Sequence, residues 1–68
     1  MSRLIRMDRS GHSTLAEWDA ADPVSVDGAV SVFRRQLQAG YFAVVSDASG
    51  RAEQVRELPP QAELVILR

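Results

Sequence analysis

Residues 23–39 carry the feature that most restricts this chain: one amphipathic helix signal, set between stretches of β-type sequence. Val26, Val30, Phe33 and Leu37 follow at spacings of four, three and four, with Ala29 alongside, and form one apolar stripe on a helix. Asp27, Ser31, Arg34, Arg35 and Gln38 fall off that stripe. Asp22 is a good N-cap type, and Pro23 suits the first helical position, where its missing N–H has no partner to lose. Gly40 is the stop beyond the last turn. These signals predict a helix from Pro23 to Ala39, with acid near its start and base toward its end, as the helix dipole favours. Gly28 lies within it and reads as drift on a surface face or, as the second reading, as a point of close approach of another backbone, at a cost of about 1 kcal/mol relative to Ala.

A single apolar stripe needs a second layer, and the flanks provide one. Arg3 to Asp8 alternates, with Ile5 and Met7 on one face, Arg6 and Asp8 on the other, and Leu4 adding an apolar residue to the outer face. Arg9 to His12 has turn composition, with Gly11 expected at positive φ. Ser13 to Trp18 is the second strand, placing Thr14, Ala16 and Trp18 on one face and Leu15 and Glu17 on the other. Two such runs across a short Gly-containing loop predict a β-hairpin. Tyr41 to Val45 is continuously apolar and reads as a central strand. Ser46 to Gly50 is a turn, and Arg51 to Leu58 is an edge strand whose charges discourage pairing. Pro59-Pro60 ends it, and Glu63 to Leu67 is a second apolar strand. The order is ββαββ. It predicts one α+β domain over residues 1–68: a small mixed sheet of four to five strands with one helix packed on one face.

Composition narrows the chemistry. Sixty-eight residues allow one domain with a thin core. Without Cys there is neither a disulfide framework nor a thiolate metal site. A formal net charge of -1 gives no bulk attraction to nucleic acid or to an anionic membrane, so a nucleic-acid partner is not expected. No apolar run approaches the ~20 residues of a membrane helix. The opening residues turn charged before a signal-peptide core can form, so the expected location is the cytoplasm. All 8 basic residues are Arg, a bias typical of a GC-rich coding sequence. The chain therefore has no side-chain amine for Schiff-base chemistry or for accepting a conjugated modifier.

No motif assembles into a catalytic or cofactor site. His12 is the only His and cannot build a metal site alone. Asp8, Ser10 and His12 are triad residue types, but one hairpin turn does not bring them to triad geometry. Ser10 to Thr14 lacks the glycine spacing and Lys of a phosphate loop. Asp19, Asp22 and Asp27 are explained by capping and dipole complementation. Arg3, Arg6 and Arg9 fall on a different surface from Arg34 and Arg35, so no single basic patch is expected. Trp18, beside the helix start, reads as a core cover. No catalytic residue, cofactor or metal is expected.

One helix covers only one face of the sheet. The other face is expected to expose one parity of the two apolar strands: Tyr41, Ala43 and Val45 with Leu64 and Ile66, or the opposite parity, with Leu4 as a neighbour and Arg68 at its end. Such a patch marks a surface for protein partners, with a homo-oligomer as an alternative use.

The element order, size and spacing resemble the ubiquitin-like β-grasp superfamily, which includes ubiquitin and the small sulfur-carrier proteins. The residues that carry the resemblance are the hairpin around Ser10, Gly11 and His12, the Asp22-Pro23 helix start with Val26 and Val30, the Tyr41 strand and the closing run Glu63 to Arg68. The resemblance implies a β-grasp fold and a non-enzymatic protein-interaction module. It also implies an alternative role as a modifier or sulfur carrier, but those members act through a terminal Gly-Gly, and this sequence ends at Arg68 without it. The helix is about a turn longer than in ubiquitin. Face alternation in the opening hairpin does not match ubiquitin's, so its turn is expected to differ.

Overall fold

In a computed structural model, residues 1–46 and 49–68 are described. They form five strands and one helix: β1 (Ser2–Asp8), β2 (Gly11–Trp18), α1 (Pro23–Gln38), β3 (Ala43–Ser46), β4 (Ala52–Val55) and β5 (Leu64–Leu67). The predicted element order holds, with β4 shorter than the run Arg51 to Leu58 suggested. Part of the predicted turn Ser46 to Gly50 lies outside the described residues; Gly50 itself has φ +82°.

The strands make one mixed sheet in the order β2-β1-β5-β3-β4. β5 is central, parallel to β1 and antiparallel to β3. Its ladder extends past the strand ends: Arg3 N–H donates to Glu63 O at 3.0 Å, and Phe42 and Arg68 exchange two backbone bonds of 2.8 Å.

The helix forms where the caps place it. Asp22 Oδ1 accepts from Val24 N–H at 3.2 Å, and Pro23 opens the first turn. Ser25 secures the approach: its hydroxyl accepts from Asp19 N–H at 3.0 Å and donates to Asp22 O at 2.9 Å. The first turn contains no acid, so Asp22 alone supplies the carboxylate there; Asp27 sits too far along. Beyond the last turn, Gly40 takes φ +102°, a conformation only Gly adopts without strain. Gly40 N–H then bonds Leu37 O at 3.0 Å and Tyr41 N–H bonds Gln36 O at 3.2 Å, the pair of reverse bonds of a Schellman stop.

The core lies between α1 and one face of the sheet. Leu4, Trp18, Ala29, Phe33, Ala43, Leu58, Val65 and Leu67 are buried together, with Val26, Val30 and Leu37 half-buried against them. Trp18 is fully covered, and its Nε1 donates to Pro60 O at 3.0 Å, so its one polar atom is paired while the ring fills the core. That bond also ties the end of β2 to the loop leading into β5.

The opening hairpin departs from simple alternation in the body of the strand. Leu4 pairs with Ala16 but Ile5 pairs with Thr14, so Leu15 is an extra residue in β2. This bulge lets Leu15 and Ala16 both pack against the core and turns Thr14 to the other face from Ala16 and Trp18. The expected grouping of Thr14 with Ala16 and Trp18 is thereby corrected. At the hairpin tip Gly11 has φ +126°. Ser10 donates to Asp8 Oδ1 through its hydroxyl at 2.8 Å and its N–H at 2.9 Å. These two bonds hold the exposed Asp8 carboxyl below its usual pKa.

Two expectations follow. A Cβ at Gly28 would meet nothing within 4 Å, so Gly28→Ala gains helix propensity at no steric cost. It raises stability by about 1 kcal/mol, read as a higher urea midpoint at unchanged slope. A depressed carboxyl pKa stabilises the folded state above the unfolded value of about 3.9, and that contribution is lost as pH falls through the folded value. Ser10→Ala removes the hydroxyl bond, so an NMR titration of the Asp8 carboxyl carbon shows its pKa rising toward the ordinary value.

Candidate interaction surface

The pairing register assigns every strand residue to a face. On β1, Leu4 shares the helix side with its partner Val65, and Ile5 shares the open side with Ile66. On β3, Ala43 pairs with Leu67 on the helix side, and Val44 pairs with Ile66 on the open side. The middle of the open face is thus a band of Thr14, Ile5, Ile66 and Val44 across four strands. Ile5 is only 9% exposed, flanked on the same face by its cross-strand neighbours Thr14 and Ile66. Apolar surface increases toward the ends: Leu64 is 39% exposed, Met7 45% and Phe42 59%.

Sequence reasoning grouped Tyr41, Ala43 and Val45 with Leu64 and Ile66, and the register separates them. Ala43 is fully buried under α1, and Val45 and Tyr41 pack half-buried against the same core. Leu4, expected on the outer face, is also fully buried on the helix side. Leu64 and Ile66 do lie on the open face, and exposed Arg68 is backbone-paired with Phe42. Ile5 and Met7 were placed together on the face opposite the outer one; they do share a face, but it is the open one, so the alternation of β1 is inverted. Phe42 and Val44, the opposite parity kept as the alternative for that run, take the open face instead. The signal for them is the polar residue in phase with each apolar run: Ser46 continues the Phe42–Val44 parity, and Arg68 continues the Leu64–Ile66 parity.

Tyr41 has a different setting at the far end of the helix. The Arg6 guanidinium lies 5.4 Å from its ring centroid, within cation–π range. Arg6 Nε and Gln36 Oε1 are buried there without a hydrogen-bond partner among the described residues. An unpaired buried donor costs roughly 1–3 kcal/mol, which opposes the gain from the ring contact.

The open face has few charged groups. Arg3 and Glu17 stand opposite each other at one end, and His12 pairs with Met7 at the other. Among the described residues, no three His, Asp or Glu side chains are placed to share a metal ion. No helix is long and apolar enough to cross a membrane. The Asp19 and Asp22 carboxylates are engaged by backbone N–H groups at the start of α1. The surface combines apolar side chains with a sparse polar rim. No family model matches the chain, and neither a curated protein nor a solved structure does so.

A pair of variants tests the face assignment. Leu64→Asp leaves a cooperative thermal transition, because the new charge stays hydrated. Leu4→Asp, which buries an unpaired charge on the helix side, abolishes that transition. Arg6→Met keeps the packing against Tyr41 and removes the unpaired Nε, so its thermal midpoint is no lower than that of the parent chain.

Proposed function

We propose that this chain is a ubiquitin-like β-grasp domain acting as a non-enzymatic protein-interaction module, and that it engages its partner through the open face of its sheet. The fold part of this reading is supported by the strand order β2-β1-β5-β3-β4, with a parallel central pair and one helix on one side, an arrangement resembling that superfamily. The observation that carries the functional part is the apolar band of Ile5, Ile66 and Val44, extended outward by Met7, Phe42 and Leu64. A contiguous apolar surface of this kind is uncommon on a monomer unless it binds something. The few charges around it leave specificity to shape and to the rim residues Arg3, Glu17, His12 and Arg68.

The same face supports a second reading, a small structural subunit of a homo-oligomer or a multi-protein assembly. Among the described residues, eight buried apolar side chains make a thin core, and a neighbour seated on the sheet would add to it.

A photo-crosslinking side chain placed at position 44 tests the module. Position 31, on the exposed side of α1, serves as the control. The expected result is crosslinking to another protein in cells from position 44 only, lost when Leu64→Asp is added. Equal crosslinking from both positions overturns the reading. Thermal unfolding over a concentration series separates the alternatives: a constant midpoint fits the module, and a midpoint that climbs with protein concentration fits the subunit.

A further inference from the structure

Sulfur is scarce in this chain. It contains no Cys and 2 Met, one of them at position 1. Met7 is therefore the one sulfur atom inside a secondary-structure element, in β1. Its side chain is 45% exposed. It shares the open face with Ile5, two residues back on the same strand, and stands across from His12 on β2. The other apolar side chains of that face, Ile5, Val44, Leu64, Ile66 and Phe42, are hydrocarbons that a mild oxidant leaves unchanged. The indole of Trp18 is fully buried under α1 and out of a solute's reach. Met7 does not belong to the buried cluster on the helix side. Its Sδ atom is thus open to a small oxidant, contributes to the apolar surface, and carries no share of the core.

We propose that Met7 is a reversible oxidation switch for the open face, with hydrogen peroxide as the oxidant. The switch rests on the open face being the docking surface put forward above. In the forward step one peroxide oxygen is transferred to Sδ: the O–O bond breaks, an S–O bond forms and the second oxygen leaves as water. Sulfur loses two electrons and the peroxide gains them. A methionine sulfoxide reductase reverses the step, taking two electrons from a pair of thiols, which become a disulfide while the oxygen leaves as water. The product carries a strong hydrogen-bond acceptor where a soft apolar side chain stood. In the free chain that oxygen points into water and costs nothing. Under a bound partner it loses its water, and burying a polar group without a new hydrogen bond is unfavourable. Oxidation therefore weakens the complex and leaves the fold as it is.

The test uses the full chain with the photo-crosslinking side chain at position 44. The chain is treated with hydrogen peroxide and freed of it before it meets cell extract, so that no partner is oxidised. The expected result has three parts. The methyl NMR signal of Met7 moves to the sulfoxide position, and the thermal midpoint stays where it was. Crosslinking from position 44 falls about tenfold, as for one polar group buried unpaired, and returns after treatment with the reductase and dithiothreitol. The Met7→Leu chain, whatever its own yield, gives the same yield before and after peroxide, which separates Met7 from Met1. An unchanged yield from the oxidised chain, or a Met7 signal that does not move, overturns the switch and leaves the docking reading standing. So does an equal fall in the Met7→Leu chain. A collapse of the thermal midpoint also overturns it, because the loss is then unfolding. If the untreated chain crosslinks no better from position 44 than from position 31, the docking reading itself fails and the switch with it.

Discussion

The sheet depends on β5. Without it, β1–β2 and β3–β4 are two separate antiparallel pairs with no edge in common. Inserting Leu64–Leu67 between β1 and β3 satisfies backbone groups on both sides of the strand and joins the pairs into one sheet. The same four residues divide their side chains between two environments. Val65 and Leu67 complete the core under α1, and Leu64 and Ile66 lie on the open face, Ile66 at its middle. Core and open face thus share one strand, and a one-residue slip of β5 would exchange them.

Asymmetry between the two faces follows from having one helix. Phe33 and Ala29 on α1 meet Leu4, Ala43, Val65 and Leu67, and these contacts use up the helix stripe. Nothing of comparable size remains for the other side of the sheet. Ile5, between the side chains of Thr14 and Ile66 on that side, is 9% exposed. Met7, Phe42 and Leu64 lack such surroundings. Their apolar area is the part a partner can remove from water, and the gain scales at about 25 cal/mol per Å² before the costs of association.

Much of the architecture was legible in the sequence because it rests on local signals. Asp22-Pro23 and Gly40 marked both ends of α1, and the structure shows a cap bond at one and a positive-φ stop at the other. Gly11 marked the hairpin in the same way. The candidate surface was only half legible, because continuous apolar runs such as Tyr41–Val45 and Leu64–Leu67 carry no alternation to say which parity faces the helix. Register decides it, and register is non-local: Val44 rather than Ala43 meets Ile66 only because β3 runs antiparallel to β5 at that offset. Leu4 was misassigned for a related reason. Three consecutive residues Arg3, Leu4 and Ile5 permit either parity, and the bulge at Leu15 disguises the alternation of the partner strand that would have decided it.

The position of β5 also bears on how the chain is made. Synthesis proceeds from the N-terminal side, and the strand that unites the sheet is the last of the six elements among the described residues to appear. At roughly 5–20 residues per second, several seconds separate completion of β2 from completion of β5. During that interval Trp18 and Leu4 have no Val65 or Leu67 beside them, and both edges of the waiting hairpin pairs that β5 will occupy stand open. The nascent chain is then at its most adhesive, and the mostly polar run Arg51 to Glu57, emerging just before β5, separates its two most apolar strands in time. Assembly of this sheet therefore waits on its last strand, β5, rather than accreting strand by strand.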